Sequence, residues 1–84
     1  MAIVKIGSVE LPEKQAEKLY SEGKYIVTYK KVYQLHYSAA QKRVYGSAIY
    51  THTGNPGLTA KGRFHAMSAQ AVNDLVGFDL VNNQ

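Results

Sequence analysis

From Tyr25 to Tyr37 the chain reads Tyr-Ile-Val-Thr-Tyr-Lys-Lys-Val-Tyr-Gln-Leu-His-Tyr, thirteen residues with no glycine or proline. Side chains branched at Cβ lose rotamer freedom in a helix, whereas β-branched and aromatic residues pack well on a pleated surface. The run therefore predicts one long strand, or two strands joined by a bulge. Tyr25, Tyr29, Tyr33 and Tyr37 recur every four residues, which also suits one side of a helix, but Ile26, Val27, Thr28 and Val32 decide for strand. On a single strand all four tyrosines share one face.

A second run, Arg43 to Thr51, follows the short connection Ser38-Ala39-Ala40-Gln41, so an antiparallel hairpin is expected. With that loop, Tyr37 faces Lys42, Leu35 faces Val44, Tyr33 faces Gly46 and Tyr29 faces Tyr50. A tyrosine then lies over the gap left by a strand glycine. One face carries Tyr25, Val27, Tyr29, Tyr33, Leu35, Tyr37, Val44, Gly46, Ala48 and Tyr50, with Lys31 as the exception, and is the expected core. The other carries Thr28, Lys30, Val32, Gln34, His36, Arg43, Tyr45, Ser47, Ile49 and Thr51, a mixture of cations, hydrogen-bonding groups and one aromatic ring.

The flanks supply the remaining elements. Ile3-Val4-Lys5-Ile6 predicts a first strand ending at Gly7-Ser8. Pro12 at a first helical position, Glu13 behind it, Ala16, Leu19 and Tyr20 at helical spacing, and Gly23 as a stop predict a helix over 12 to 22. Thr53-Gly54-Asn55-Pro56-Gly57 is the strongest turn signal, and 58 to 65 is expected to be irregular or a short strand. Ser68 as a cap, Met67 and Val72 as a hydrophobic staple, and Gly77 as a stop predict a second helix. Phe78 to Val81 suits a final edge strand. The expectation is a small single α+β domain over residues 1 to 84, an antiparallel sheet of three to five strands with two short helices packed on one face.

Charge is segregated along this chain. Residues 24 to 73 contain no acid but hold Lys24, Lys30, Lys31, Lys42, Arg43, Lys61 and Arg63 with six of the seven tyrosines, a block of +7 within a net charge of +4. One-signed charge repels itself in a compact domain, so the block points to an acidic partner. The absence of cysteine excludes disulfides, thiolate metal sites and catalytic thiols. The N-terminal apolar run is too short for a signal peptide, and no run approaches a membrane span, so a cytoplasmic protein without membrane contact is expected.

Catalysis fits poorly. The six carboxylates lie on or near the first helix and around the end of the second, and no nucleophile elbow or triad spacing occurs. His36, His52 and His65 have no paired metal-ligand spacing, so neither metal nor cofactor is expected. The glycines around Lys61 and Arg63 match neither a P-loop nor a dinucleotide fingerprint, although a glycine-rich turn can present N–H groups to an anion.

What remains is a non-catalytic module binding nucleic acid, single-stranded or RNA favoured, mainly through phosphates. Its footprint is Lys30, Lys31, Gln34, His36, Lys42, Arg43, Tyr45, Lys61 and Arg63, with Tyr45 as a stacking ring. The alternative is a protein-interaction module, such as a small inhibitor of the kind phages and mobile elements encode. It would cover an acidic or nucleic-acid-handling protein surface, or form a homodimer through an edge strand such as residues 2 to 6 or 78 to 81.

Overall fold

The computed structural model describes residues 2–54, 58 and 64–83. Strands β1 (Ile3–Ile6) and β2 (Val9–Pro12) form a two-stranded antiparallel hairpin that leads into helix α1 (Glu13–Ser21). Strands β3 (Tyr25–Val27), β4 (Lys31–Ser38), β5 (Arg43–Thr51) and β6 (His65–Met67) form a second antiparallel sheet in the order β5-β4-β3-β6. Helix α2 (Ala69–Val76) and a 3-10 turn over Val81–Asn83 follow. The class is α+β with antiparallel sheets, as the sequence predicts.

Strand β2 is an addition to that expectation. Gly7 takes φ 62 and Ser8 does not share the positive φ, so the two residues make the tight turn in which glycine leads. Val4, Ile6, Val9 and Leu11 alternate with exposed neighbours and face the core. Pro12 therefore ends a strand, pairing with Ile3 at an extended ψ of 142, instead of opening the helix. The residue before the first strand helps to cap α1, because the Glu13 N–H donates to the Ala2 carbonyl at 3.0 Å. The helix ends as Gly23 predicts: Gly23 N–H donates to Tyr20 and Lys24 N–H to Leu19, a Schellman arrangement.

The run from Tyr25 to Tyr37 is not one strand. The chain reverses after Thr28, so that Ile26 pairs with Tyr33 and Val27 with Val32. No glycine, proline or asparagine marks this turn because the Thr28 side chain closes it: its hydroxyl donates to the Lys31 carbonyl and accepts from the Lys31 N–H, at 3.1 and 3.2 Å. The four tyrosines consequently do not share a face. Tyr25 and Tyr33 are buried, Tyr29 stands exposed in the turn, and Tyr37 is half exposed.

The β4–β5 hairpin forms, in a register displaced by two residues. Tyr37 pairs with Val44, Leu35 with Gly46 and Tyr33 with Ala48, around the connection Ala39 to Lys42. Beyond Tyr33 the register shifts, so that Val32 pairs with Tyr50 and Ile49 is the extra residue of a bulge. Both faces of the sheet then become buried near the bulge. On one, Ile26, Tyr33, Leu35 and Val44 pack against the β1–β2 hairpin and against Ala16 and Leu19 of α1. On the other, Tyr25, Val27 and Val32, with Ile49 and Tyr50, pack against Val72, Leu75 and Val76 of α2. The two helices thus occupy opposite faces, a correction to the one-face arrangement, and the cause is that Val27 and Val32 point away from Ile26 and Tyr33.

The second helix matches its sequence signals. Ser68 Oγ accepts from the Ala71 N–H at 3.3 Å, Met67 and Val72 join the same cluster, and Gly77 ends the helix at φ 83. Phe78 to Leu80 form no strand; the Asn73 side chain instead accepts from the Val81 N–H and donates to Asp79. A short strand does form late in the loop region, but it is β6, which pairs with β3 through Tyr25–Met67, Ile26–Ala66 and Val27–His65.

Candidate nucleic-acid interface

Helix α2 covers only the bulge end of its sheet face. Past Val32 and Ile49 the same face continues as Gln34, His36 and Ser38 on β4 and as Ser47, Tyr45 and Arg43 on β5. The displaced register places His36 directly opposite Tyr45 and Gln34 opposite Ser47. The His36 and Tyr45 rings lie 5.2 Å apart at 27°, stacked. His36 Nε2 is held at 2.9 Å from Ser47 Oγ, which fixes the imidazole beneath a tyrosine that remains 41% exposed.

The hairpin tip adjoins this pair. Arg43 Nε donates to Gln41 Oε1 at 3.1 Å, and the Gln41 N–H donates to Ser38 Oγ at 3.2 Å, so the connection is tied down by its own side chains. Lys42 takes φ 55, a left-handed conformation that a non-glycine residue adopts at some cost. Lys42 and Arg43 are both exposed. On the other side of the tip, Tyr37 and Tyr20 of α1 leave their rings half exposed with centroids 6.4 Å apart.

The footprint read from the sequence divides into two places. Gln34, His36, Lys42, Arg43 and Tyr45 come together at the tip end. Lys30 and Lys31 sit at the turn on the far end of β4, an eight-residue strand and so about 23 Å away at roughly 3.3 Å per residue. Lys31 also points to the hairpin side of the sheet, opposite to His36, because side chains alternate. Lys61 and Arg63 lie outside the described residues, as do Pro56, Gly57 and Gly62 of the turn and phosphate-loop reading. Ser47 is the residue the sequence reading left out of the footprint. Its role follows from the register, which the chain alone does not fix.

A small exposed platform of this kind presents a ring face, an imidazole, an amide and two cations to solvent. Both strands that build it lie in the segment from 24 to 73 that contains no carboxylate. Among the described residues no three His, Asp or Glu side chains cluster as metal ligands would. No helix among them is long and apolar enough to cross a membrane. The chain matches no protein-family model, and neither a curated protein nor a solved structure matches it.

Proposed function

We propose that this chain is a small non-catalytic module that binds single-stranded nucleic acid, RNA included, across the open end of the β4–β5 face. The observation that carries the reading is the exposed Tyr45 ring, backed by His36 and bordered by Lys42 and Arg43. An unpaired base stacks on Tyr45 while the two cations meet the phosphates on either side, and Gln34 supplies a hydrogen-bonding edge. Stacking accepts every base and phosphate contacts carry no sequence information, so affinity exceeds specificity. A duplex has no base free to stack and binds more weakly.

Electrostatic attachment makes the affinity salt-dependent, with about 0.7 lost from the logarithmic salt slope for each single-strand phosphate contact removed. Titration of a labelled oligonucleotide tests this. Tyr45→Ala is expected to cost on the order of 1 to 3 kcal/mol of binding. Lys42→Glu with Arg43→Glu is expected to abolish binding in a folded protein, and unchanged affinity in that variant refutes the interface.

A second reading, a protein-interaction module, is favoured by β5. This strand is nine residues long and forms one edge of the four-stranded sheet, the geometry from which a partner strand extends a sheet. An acidic partner or a second copy of the chain suits that edge, with the same cations beside it. Analytical ultracentrifugation separates these cases from the nucleic-acid reading.

A further inference from the structure

We infer that the cleft between the two tight turns is a separate binding site for a nucleoside monophosphate. It lies at the end of the sheet remote from Arg43, has a volume of about 730 Å3, and is bounded by Gly7 to Glu10 on one side and Thr28 to Lys31 on the other, with Tyr33 and Phe64 between. This inference does not rest on the nucleic-acid reading, because the cleft opens on the hairpin side of the sheet and uses none of the Tyr45 platform.

Tyr33 is the first reason. Only 7% of it is exposed, and its ring edge packs so closely on Gly7 that a Cβ there would overlap the hydroxyl. No protein group among the described residues hydrogen-bonds that hydroxyl. Buried hydroxyls nearly always have a partner, so one that ends beside a cleft and has none among the described residues is placed to bond what fills the cleft.

The surrounding side chains select that ligand. Lys30 and Lys31 are adjacent and exposed, two ammonium groups suited to a dianionic terminal phosphate. Tyr29, Phe64 and Val9 offer apolar and aromatic wall to a flat ring. Glu10 is the sole carboxylate among the lining residues named and accepts from an exocyclic amine or ring N–H, which an inorganic anion lacks. The Thr28 hydroxyl is already engaged with Lys31 and takes no part. Two ammonium groups, one carboxylate and apolar surface around a single cleft describe an amino-bearing nucleotide better than a bare phosphate.

The test is an amide NMR titration of the full chain with adenosine 5′-monophosphate, with inorganic phosphate as the control. Saturable shifts are expected at Gly7 to Glu10 and Thr28 to Tyr33, with a concentration dependence separate from that of any shift at Tyr45 and Ser47, and phosphate alone binding more weakly. Tyr33→Phe keeps the ring and the fold and is expected to weaken binding at least about fivefold, the loss of one hydrogen bond. No saturable shift at millimolar nucleotide, equal binding of inorganic phosphate, or undiminished affinity in Tyr33→Phe each overturns the assignment. Failure here leaves the Tyr45 platform untouched, since that site is read at different residues.

Discussion

Gly46 pairs with Leu35 in the middle of the hairpin, directly beneath Ile6 of the first strand. A methyl group at Gly46 would overlap Ile6 Cγ2 and sit 3.3 Å from Cγ1, well inside contact distance. Ile6 is 1% exposed and branched at Cβ, so it has no open space into which to turn. Overpacking of this kind costs about 1 to 3 kcal/mol, and alanine recovers about 0.5 to 1 kcal/mol through a smaller loss of backbone entropy. Gly46→Ala is therefore expected to destabilise the domain by about 1 to 2 kcal/mol, lowering the melting temperature by roughly 5 to 15 °C in a chain this small. Urea denaturation followed by circular dichroism measures it. Ile6→Ala alone leaves a cavity worth about 2 to 5 kcal/mol, but in the double variant the new methyl enters the vacated space. The two costs should then fall short of additivity by about 1 kcal/mol or more. A Gly46→Ala protein as stable as the parent, or strictly additive costs, refutes the packing of the β1–β2 hairpin on β5.

Other substitutions probe the local devices. Thr28→Ala is expected to cost about 1 to 2 kcal/mol, because it leaves both polar groups of Lys31 without their side-chain partner, while Thr28→Ser retains most of the stability; urea midpoints of the two variants measure this. Ser68→Ala removes the cap of α2 and is expected to cost about 1 kcal/mol by the same assay. Lys42→Gly relieves a left-handed residue, a strain of roughly 1 to 2 kcal/mol, against an entropic penalty of about 0.5 to 1 kcal/mol. That variant is expected to be slightly more stable in a thermal melt and yet to bind oligonucleotide less tightly, opposite signs that a general loss of structure does not produce.

The legibility of this chain follows where its local signals are self-sufficient. Helix α2 is announced at both ends, by Ser68 and Gly77, and forms between them. Gly23 likewise ends α1 as expected, since a left-handed stop needs only one residue. Turns built from side chains are less visible: Thr28 closes a reversal that a thirteen-residue run conceals, and dividing that run moves Tyr29 into solvent. The register of β4 against β5 is also hidden, because a displacement by two residues preserves every face and changes only the partners. That displacement decides the candidate site, since it sets Tyr45 over His36 instead of opposite Gln34. The opposite placement of the helices depends on the Thr28 reversal and the Ile49 bulge together, neither of which a periodicity argument detects.

The charge pattern carried the reading of an acidic partner, but position along the chain is not position in space. Lys30 and Arg43 are both in the basic block, yet Lys30 precedes β4 while Arg43 pairs with its last residue, Ser38. The most direct measurement is a titration of single-stranded and double-stranded DNA and RNA at low and near-physiological salt. It compares the parent with Lys42→Glu/Arg43→Glu and with Lys30→Glu/Lys31→Glu, two variants of equal net charge. Single-strand binding that persists near physiological salt, vanishes in the first variant and survives in the second is the expected result. Equal loss in both variants, or no preference for single strands in the parent, contradicts a site at Tyr45 and leaves only diffuse attraction to the basic surface.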